Sequence, residues 1–379
     1  MKKSLLALAV LGAFAGTASA QSSVTLYGIA DVGLQYNKQY SSTTKSQESV
    51  VGLNGGYVAG NRWGLRGSEA LGSGMSAIFT LESGFDIDTG NSGQGNRLFG
   101  RQAWAGLATP FGSIVGGRIA TFSSGTGSFD MVGALDPFGT GWGINTLGST
   151  FISANALRVD NALAYVSPTW AGFKFGAAYS FNFNGQEGST SDLSTKVTGL
   201  GASYSWGPLY AAVTYDIVEY PTLEANGAAI SPSPDDQTHL QLGLTWDFKF
   251  LKLYGAWADQ SKIRAALLSG GNSIAVPTGV GNWDNNAWML GVTAPIGNFT
   301  LRASYQYSDA DNIIRPNPTN PSQNVSFEPD YAVYGIGVDY KLSNRTLIYL
   351  GFGVRDAKGS LASETTDRDQ FAVGLNHRF

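Results

Sequence analysis

The sequence predicts an all-β fold, a 16-stranded antiparallel transmembrane β-barrel with a constricting third loop. Three observations favour this fold class. Apolar and polar residues alternate along many short segments, short and long connections alternate between these segments, and the composition is unusual. Glycine supplies 50 of the 379 residues and only 14% of the residues are charged, whereas typical domains have about 7% glycine and about 25% charged residues. Such a chain favours strands and turns over helices.

Period-two alternation runs from the first strand to the last residue and predicts strands with one apolar face. In segment 299–308, aromatic and aliphatic residues occupy the odd positions and polar residues the even positions. The same pattern predicts sixteen strands, at about 24–37, 62–69, 75–85, 101–107, 112–120, 158–167, 173–183, 197–206, 209–217, 239–247, 250–259, 287–295, 299–308, 330–341, 345–357 and 370–379.

The connections between these strands fall into two classes that alternate along the chain. Seven are tight turns, and eight are long polar segments at about 38–61, 86–100, 121–157, 184–196, 218–238, 260–286, 309–329 and 358–369. This regularity is expected of an up-and-down barrel whose two rims face different compartments.

Alternation alone does not separate a membrane barrel from a soluble β-sandwich, because both have one apolar face along each strand. Aromatic residues near strand ends, such as Trp246, Phe299 and Tyr340, are typical of the girdles at membrane interfaces. The chain also ends on Phe379 within an alternating strand, whereas the end of a soluble domain usually frays. These features favour the barrel.

The first twenty residues have the pattern of a secretory signal. Lys2 and Lys3 precede an apolar stretch at 5–15, and small residues stand at 18–20. We therefore expect a signal peptide at residues 1–20, cleaved after Ala20, and one barrel domain at residues 21–379. An apolar stretch of this length is too short to span a bilayer as a helix.

The composition excludes several classes of function. The chain has no cysteine and only two histidines, His239 and His377, so thiol catalysis and cysteine-based zinc sites are excluded. A formal net charge of −4 argues against binding to nucleic acid, which requires a basic surface. We therefore expect no catalytic residue, no cofactor and no metal.

Several motifs, in order along the chain, resemble those of general diffusion porins of the Gram-negative outer membrane, most closely the β-proteobacterial type. They are Ser23-Val24-Thr25-Leu26-Tyr27-Gly28, Arg62-Trp63-Gly64-Leu65-Arg66-Gly67-Ser68-Glu69, Arg101-Gln102-Ala103-Trp104-Ala105-Gly106-Leu107, Asp136-Pro137-Phe138-Gly139 and Gly374-Leu375-Asn376-His377-Arg378-Phe379. The resemblance implies an outer-membrane homotrimer in contact with lipid. It also implies long loops outside the cell, a third loop folded into the pore, and Phe379 as the signal that the barrel assembly machinery reads.

The same resemblance implies a basic ladder at the narrowest part of the pore. Arg62, Arg101 and Arg158 match its positions, with Arg66, Arg97 and Arg118 as further candidates. An arginine facing lipid near the middle of the membrane would cost about 2–4 kcal/mol, so most of these side chains are expected to face the interior. On β-strand parity, Arg158 is expected on the face opposite Val159, Leu163 and Tyr165.

The third long connection, residues 121–157, contains only two acidic residues, Asp130 and Asp136. A connection of this length in a compact fold usually has a function. Packed against the inner wall, its two carboxylates would face the arginines and set a transverse field. The alternative is that both aspartates cap local turns.

We expect a water-filled channel for passive diffusion of small hydrophilic solutes and ions, with a modest preference for anions from the arginines. The negative net charge points the other way, but charges in exposed loops are screened within about 8 Å. Two alternatives stay open. One is a substrate-specific channel of the same fold, although the inward aromatics Tyr27, Tyr254 and Tyr349 are scattered. The other is a structural or adhesin barrel plugged by its loops.

Overall fold

The structure is a computed structural model that describes residues 22–41, 46–139, 141–146, 151, 158–183, 194–221, 235–263, 283–311, 313–315, 325–327, 330–358 and 367–379. The expected signal peptide, with its cleavage position after Ala20, lies outside these residues. Among the described residues, no helix combines the length and apolarity needed to cross a membrane.

Strands form most of the described chain. They are β1 Ser23–Ser41, β2 Ser46–Gly55, β3 Arg62–Gly72, β4 Met75–Gly84, β5 Gln102–Thr109, β6 Gly112–Ala120, β7 Arg158–Val166, β8 Phe173–Ser180, β9 Lys196–Trp206, β10 Leu209–Glu219, β11 Gln237–Asp247, β12 Lys252–Ile263, β13 Trp283–Ile296, β14 Phe299–Ala310, β15 Ile313–Arg315, β16 Val325–Phe327, β17 Asp330–Lys341, β18 Thr346–Lys358 and β19 Arg368–Arg378. The described helical segments are short: α1 Gly93–Asn96 and two 3₁₀ turns at Gly133–Leu135 and Gly143–Asn145.

Sixteen of these strands close into an antiparallel barrel, as the sequence predicts. They are β1, β3 to β14 and β17 to β19. Each pairs with the next along the chain, and the first pairs with the last: Ile29 of β1 lies opposite Arg378 of β19. On its other edge, Ser23 of β1 lies opposite Ser68 of β3. Closure leaves the barrel without a free strand edge.

The two faces of the wall differ in polarity. On β14 the outward Phe299 and Leu301 are 49% and 45% exposed, whereas the inward Gln306 and Ser308 are fully buried. The same alternation on β17 exposes Ile336. An apolar outside and a polar inside are what a barrel in lipid requires, and this arrangement confirms the alternation in the sequence.

The structure adds three strands that the sequence analysis assigned to long connections. Strand β2 lies within 38–61, and β15 and β16 pair with each other within 309–329. In β2, Val50 and Val51 are 63% and 71% exposed. This strand extends β1 through backbone pairing and has no buried apolar face, so alternation of side chains does not reveal it.

The last residue lies at the seam that closes the barrel. Phe379 donates its backbone N–H to the carbonyl of Gly28, and Gly28 donates to the carbonyl of Phe379, both at 3.1 Å. The Phe379 ring occupies the space where a side chain on residue 28 would stand. The terminal aromatic therefore covers the glycine of the first strand.

Changing Phe379 to alanine is expected to lower the yield of folded barrel in the membrane, because the seam loses its ring contact with Gly28. The measurement is the folded fraction by heat-modifiable gel mobility of cell envelopes. Phe371→Ala is the matched control, since Phe371 lies on the same strand at 36% exposure. Equal yields for the two variants would contradict a special role of the terminal residue.

Candidate functional site: the inner wall and the third long connection

The third long connection, residues 121–157, is hydrogen bonded to widely separated strands of the inner wall. Tyr210 of β10 donates its hydroxyl to the carbonyl of Met131 at 2.7 Å. Gln306 of β14 donates to the carbonyl of Asn145 at 2.7 Å. The backbone N–H of Ile144 donates to Gln370 Oε1 of β19 at 2.9 Å. The described part of the connection thus follows the inside of the barrel over a wide arc.

Glycines of the wall provide the seats on which this connection packs. A Cβ on Gly337 would lie 2.6 Å from Trp142 Cζ3. A Cβ on Gly291 would lie 2.6 Å from Pro137 Cγ. These distances are shorter than any real Cβ contact, so a larger residue at either position would displace the connection. The same holds for Phe122 on Gly201, Leu135 on Gly243 and Asn145 on Gly335.

Two predicted basic residues, Arg62 and Arg101, converge beside Gly60. A Cβ on Gly60 would lie 3.2 Å from Arg101 Nη1 and 3.9 Å from Arg62 Nη2. Arg101 Nε lies 2.7 Å from Glu82 Oε1, and Tyr27 donates its hydroxyl to the other oxygen of Glu82 at 2.9 Å. Glu82 therefore offsets part of this positive charge.

Arg101 also reaches the third long connection, since its Nη2 donates to Thr126 Oγ1 at 3.3 Å. Alternation in the sequence predicts a strand that starts at Arg101, but β5 begins at Gln102. Strict alternation would put Arg101 on the outer face with Ala103. The bend before β5 instead lets the side chain turn towards Glu82.

Arg97 and Arg118 share one carboxylate. Arg97 Nη1 lies 2.6 Å from Asp160 Oδ2, Arg118 Nη1 forms an ion pair with Asp160 Oδ1, and Arg118 Nε donates to the carbonyl of Gly100 at 2.8 Å. Both arginines thus lie beside β7, where Asp160 is found.

Arg158 lies on β7 near other arginines of the predicted ladder. It interacts electrostatically with Arg62, Arg101 and Arg118. Its Nε is buried and has no hydrogen-bond partner among the described residues. The structure therefore brings the three principal residues of the predicted ladder into one cluster. Arg66, on the same face of β3 as Arg62, is exposed and lies over the Tyr27 ring at 5.3 Å.

The local geometry of β7 breaks the alternation of faces expected around Arg158. The ladder with β6 shifts register between Gly117 and Ile119, and Asn161 has a positive φ of 50°. Val159 is 2% exposed, whereas Leu163 is 51% exposed, so these residues do not share the outer face as expected. A bulge of this kind changes which face successive residues take.

The two predicted acidic residues hold local turns. Asp130 accepts hydrogen bonds from the backbone N–H groups of Val132 at 3.1 Å and Gly133 at 2.9 Å. Asp136 accepts from the backbone N–H of Phe138 at 2.8 Å. This is the capping role that the sequence analysis left as the alternative, and their effect on passing ions stays a prediction.

Four charged residues at this site were not predicted from the sequence. Glu82 and Asp160 are the ion-pair partners of the arginines described above. Arg302 of β14 pairs with Asp339 through Nη2 at 2.9 Å and donates to the carbonyl of Pro137 at 2.5 Å. A charged residue at an inward-facing position of a membrane strand could have revealed them, because a charge that faces lipid is destabilising.

Burial raises the pKa of Asp130 to about 6, although its backbone hydrogen bonds oppose the shift. Ionisation of Asp130 therefore lowers the free energy of unfolding. This loss of stability develops as the pH rises from about 4 through about 6. Below pH 6 the carboxyl becomes neutral and the connection loses a negative charge.

We therefore expect the channel to favour anions more strongly at about pH 5 than at about pH 7.5. The measurement is the zero-current potential in a potassium chloride gradient at both values. Asp130→Asn, which cannot ionise, should respond less to pH than the original protein. An identical pH response in the variant would assign the effect to other groups.

The closed barrel, its polar interior and the connection packed on its inner wall define a channel-forming protein of a lipid membrane. Comparison with known proteins identifies the family. A sequence profile described as Gram-negative porin matches residues 7–360. The chain belongs to the Gram-negative porin family, and it is an outer-membrane channel for small solutes rather than an enzyme.

Similar proteins are known both by sequence and by structure. An outer membrane porin protein of Bordetella pertussis is 35% identical over 100% of both chains. Outer membrane porin protein 32 of Delftia acidovorans is 33% identical, over 78% of this chain and 77% of its own. An anion-selective porin from Comamonas acidovorans has the same fold, with a TM-score of 0.70, 24% identity, and coverage of 95% of this chain and 100% of that one.

Proposed function

We propose that this porin forms a water-filled channel for passive diffusion of small hydrophilic solutes and ions, with a modest preference for anions. The observation that carries the proposal is the cluster of Arg62, Arg101 and Arg158 beside the third long connection. Arg101 has the acidic partner Glu82. The buried Nε of Arg158 has no partner among the described residues, so its charge is less offset than that of Arg101.

The third long connection acts in this proposal as the constriction. Its support is the set of wall contacts described above, which hold it across the lumen side of several strands. Fixed charges of one sign at the narrowest part of a pore select ions of the other sign. The anion selectivity stated for the Comamonas acidovorans porin agrees with this sign.

Assembly and targeting complete the proposal. Residues 1–20 direct export and are cleaved after Ala20. The C-terminal strand, ending on Phe379, is recognised by the barrel assembly machinery. The exposed apolar face then contacts outer-membrane lipid, and three copies form a homotrimer.

The test of an open pore is reconstitution of the purified protein into planar bilayers and liposomes. We expect conductance steps in groups of three and swelling of liposomes in small neutral sugars, with rates that fall as the sugar becomes larger. Folded protein that inserts but conducts nothing would overturn the proposal and favour a barrel plugged by its loops. Saturable inhibition of the ion current by one sugar would instead favour a substrate-specific channel.

A further inference from the structure

Two arginines outside the predicted ladder stand directly opposite each other on the inner wall. Arg355 of β18 pairs in register with Arg368 of β19, at the end of that ladder beside the connection that joins the two strands. Two residues further into the barrel, Gly353 abuts Asn145, and Gln370 accepts from the third long connection. Since side chains two apart share a face, both arginines point into the lumen.

This pair has unusual electrostatics. Like charges directly opposite on neighbouring strands are destabilising. Arg355 is only 7% exposed, and the Nε atoms of both arginines are buried without a hydrogen-bond partner among the described residues. No ion pair found in the described part of the chain includes either of them, in contrast to Arg302, which pairs with Asp339.

The two guanidinium groups contact neutral partners, although Asp356 and Asp367 line the same cavity as the pair. The Arg355 guanidinium lies over the Tyr331 ring at 4.9 Å. Arg368 Nη2 donates to Asn37 Oδ1 at 3.4 Å. The adjacent acid Asp369 takes the opposite face of β19, where it forms an ion pair with Lys38 at 3.4 Å. The lumen-facing side of the wall at this pair therefore carries two positive charges. The Nε–H groups of both arginines have no hydrogen-bond partner among the described residues.

We propose that Arg355 and Arg368 form a binding site for a small oxyanion, a phosphate or carboxylate in transit. The site lies between the third long connection and the rim of the barrel that carries the long connections. A guanidinium fork matches the geometry of these anions. An anion between the two forks removes their repulsion and accepts from the unused Nε–H groups. The site lies apart from the Arg62, Arg101 and Arg158 cluster and would load oxyanions before the constriction. It rests on the proposed function, because the anion must enter an open channel.

The test uses inorganic phosphate and the full-length protein in planar bilayers. Phosphate added on the long-connection side, in constant potassium chloride, should reduce the chloride current saturably in the original protein. The double variant Arg355→Gln with Arg368→Gln should raise the half-inhibiting phosphate concentration at least tenfold. Arg345→Gln, which removes an exposed arginine at the opposite rim, is the matched control and should leave it unchanged. Arg368→Lys, which keeps the charge but loses the fork, should weaken inhibition less than the double variant.

Binding is measured separately by calorimetric titration of phosphate into detergent-folded protein, with folding confirmed by heat-modifiable mobility. Heat released with the original protein and lost in the double variant would support the site even if no channel conducts. A conducting, anion-preferring channel in which the double variant responds to phosphate like the original would overturn this inference alone. If the double variant does not fold, Arg368→Lys provides the decisive comparison, and phosphate inhibition unchanged in that variant would overturn the site.

Discussion

Replacing Arg158 with alanine will move the zero-current potential of the channel towards cations. Arg97, Arg101 and Arg118 have carboxylate partners, so their charges are partly offset. Arg158 has a buried Nε without a partner among the described residues, and it lies within electrostatic reach of Arg62. Its removal therefore takes away a charge that Glu82 offsets only in part.

The size of the Arg158 effect follows from Coulomb's law. A unit charge about 4 Å from an ion in water contributes about 1 kcal/mol. Because about 1.4 kcal/mol corresponds to a tenfold ratio, the chloride permeability should fall by about fivefold, and the opposite effect on potassium lowers the chloride-to-potassium permeability ratio further. Arg158→Lys keeps the charge and should preserve most of the ratio. Arg345→Ala removes an arginine from the exposed turn between β17 and β18 and should leave the ratio unchanged. An unaltered potential in Arg158→Ala would remove this residue from the selectivity mechanism.

Changing Gly337 to alanine will lower the conductance of the channel, because the new methyl group would overlap Trp142 and push the third long connection from the wall into the lumen. An ideal Cβ at this position lies 2.6 Å from Trp142 Cζ3 and 3.1 Å from Phe138 Cε1. Both rings belong to the third long connection and are 2% exposed. Overpacking of this kind costs about 1–3 kcal/mol, which is relieved when the connection moves off the wall.

The matched control for Gly337→Ala is Gly255→Ala. A Cβ on Gly255 of β12 would lie 3.9 Å from Leu290 Cδ2, an ordinary van der Waals contact. Single-channel conductance and protease sensitivity of the third long connection should change in Gly337→Ala and not in Gly255→Ala. Equal conductance in the two variants would show that the packing at Trp142 does not set the width of the pore.

The strands of the barrel wall were predictable because one face of each meets an apolar environment and the other a polar one. Alternation records that difference residue by residue, as on β14 and β17. It fails where a strand has no buried face, as in β2, and where a bulge changes the parity, as at Asp160 and Asn161 of β7. Family resemblance grouped Arg158 with Arg62 and Arg101, and its role in the pore stays a prediction, although the alternation of faces expected around it does not hold.

The contacts of the third long connection could not be predicted from the sequence. Its seat at Trp142 is formed by Gly337 of β17 and Gly351 of β18, which are far from it along the chain. Ion pairing is equally non-local, since Glu82 and Asp160 meet Arg101 and Arg118 only through the pairing of neighbouring strands. The roles of Asp130 and Asp136 could not be predicted either, because an aspartate that caps a local turn and one that faces a pore have the same sequence pattern.

The central claim is that the inner-wall arginines make an anion-preferring open channel. The most direct test is the zero-current potential of the original protein across a planar bilayer that separates two concentrations of potassium chloride. We predict a potential whose sign shows chloride moving faster than potassium, with that sign weakened in Arg158→Ala. A potential of the opposite sign in the original protein would contradict the claim.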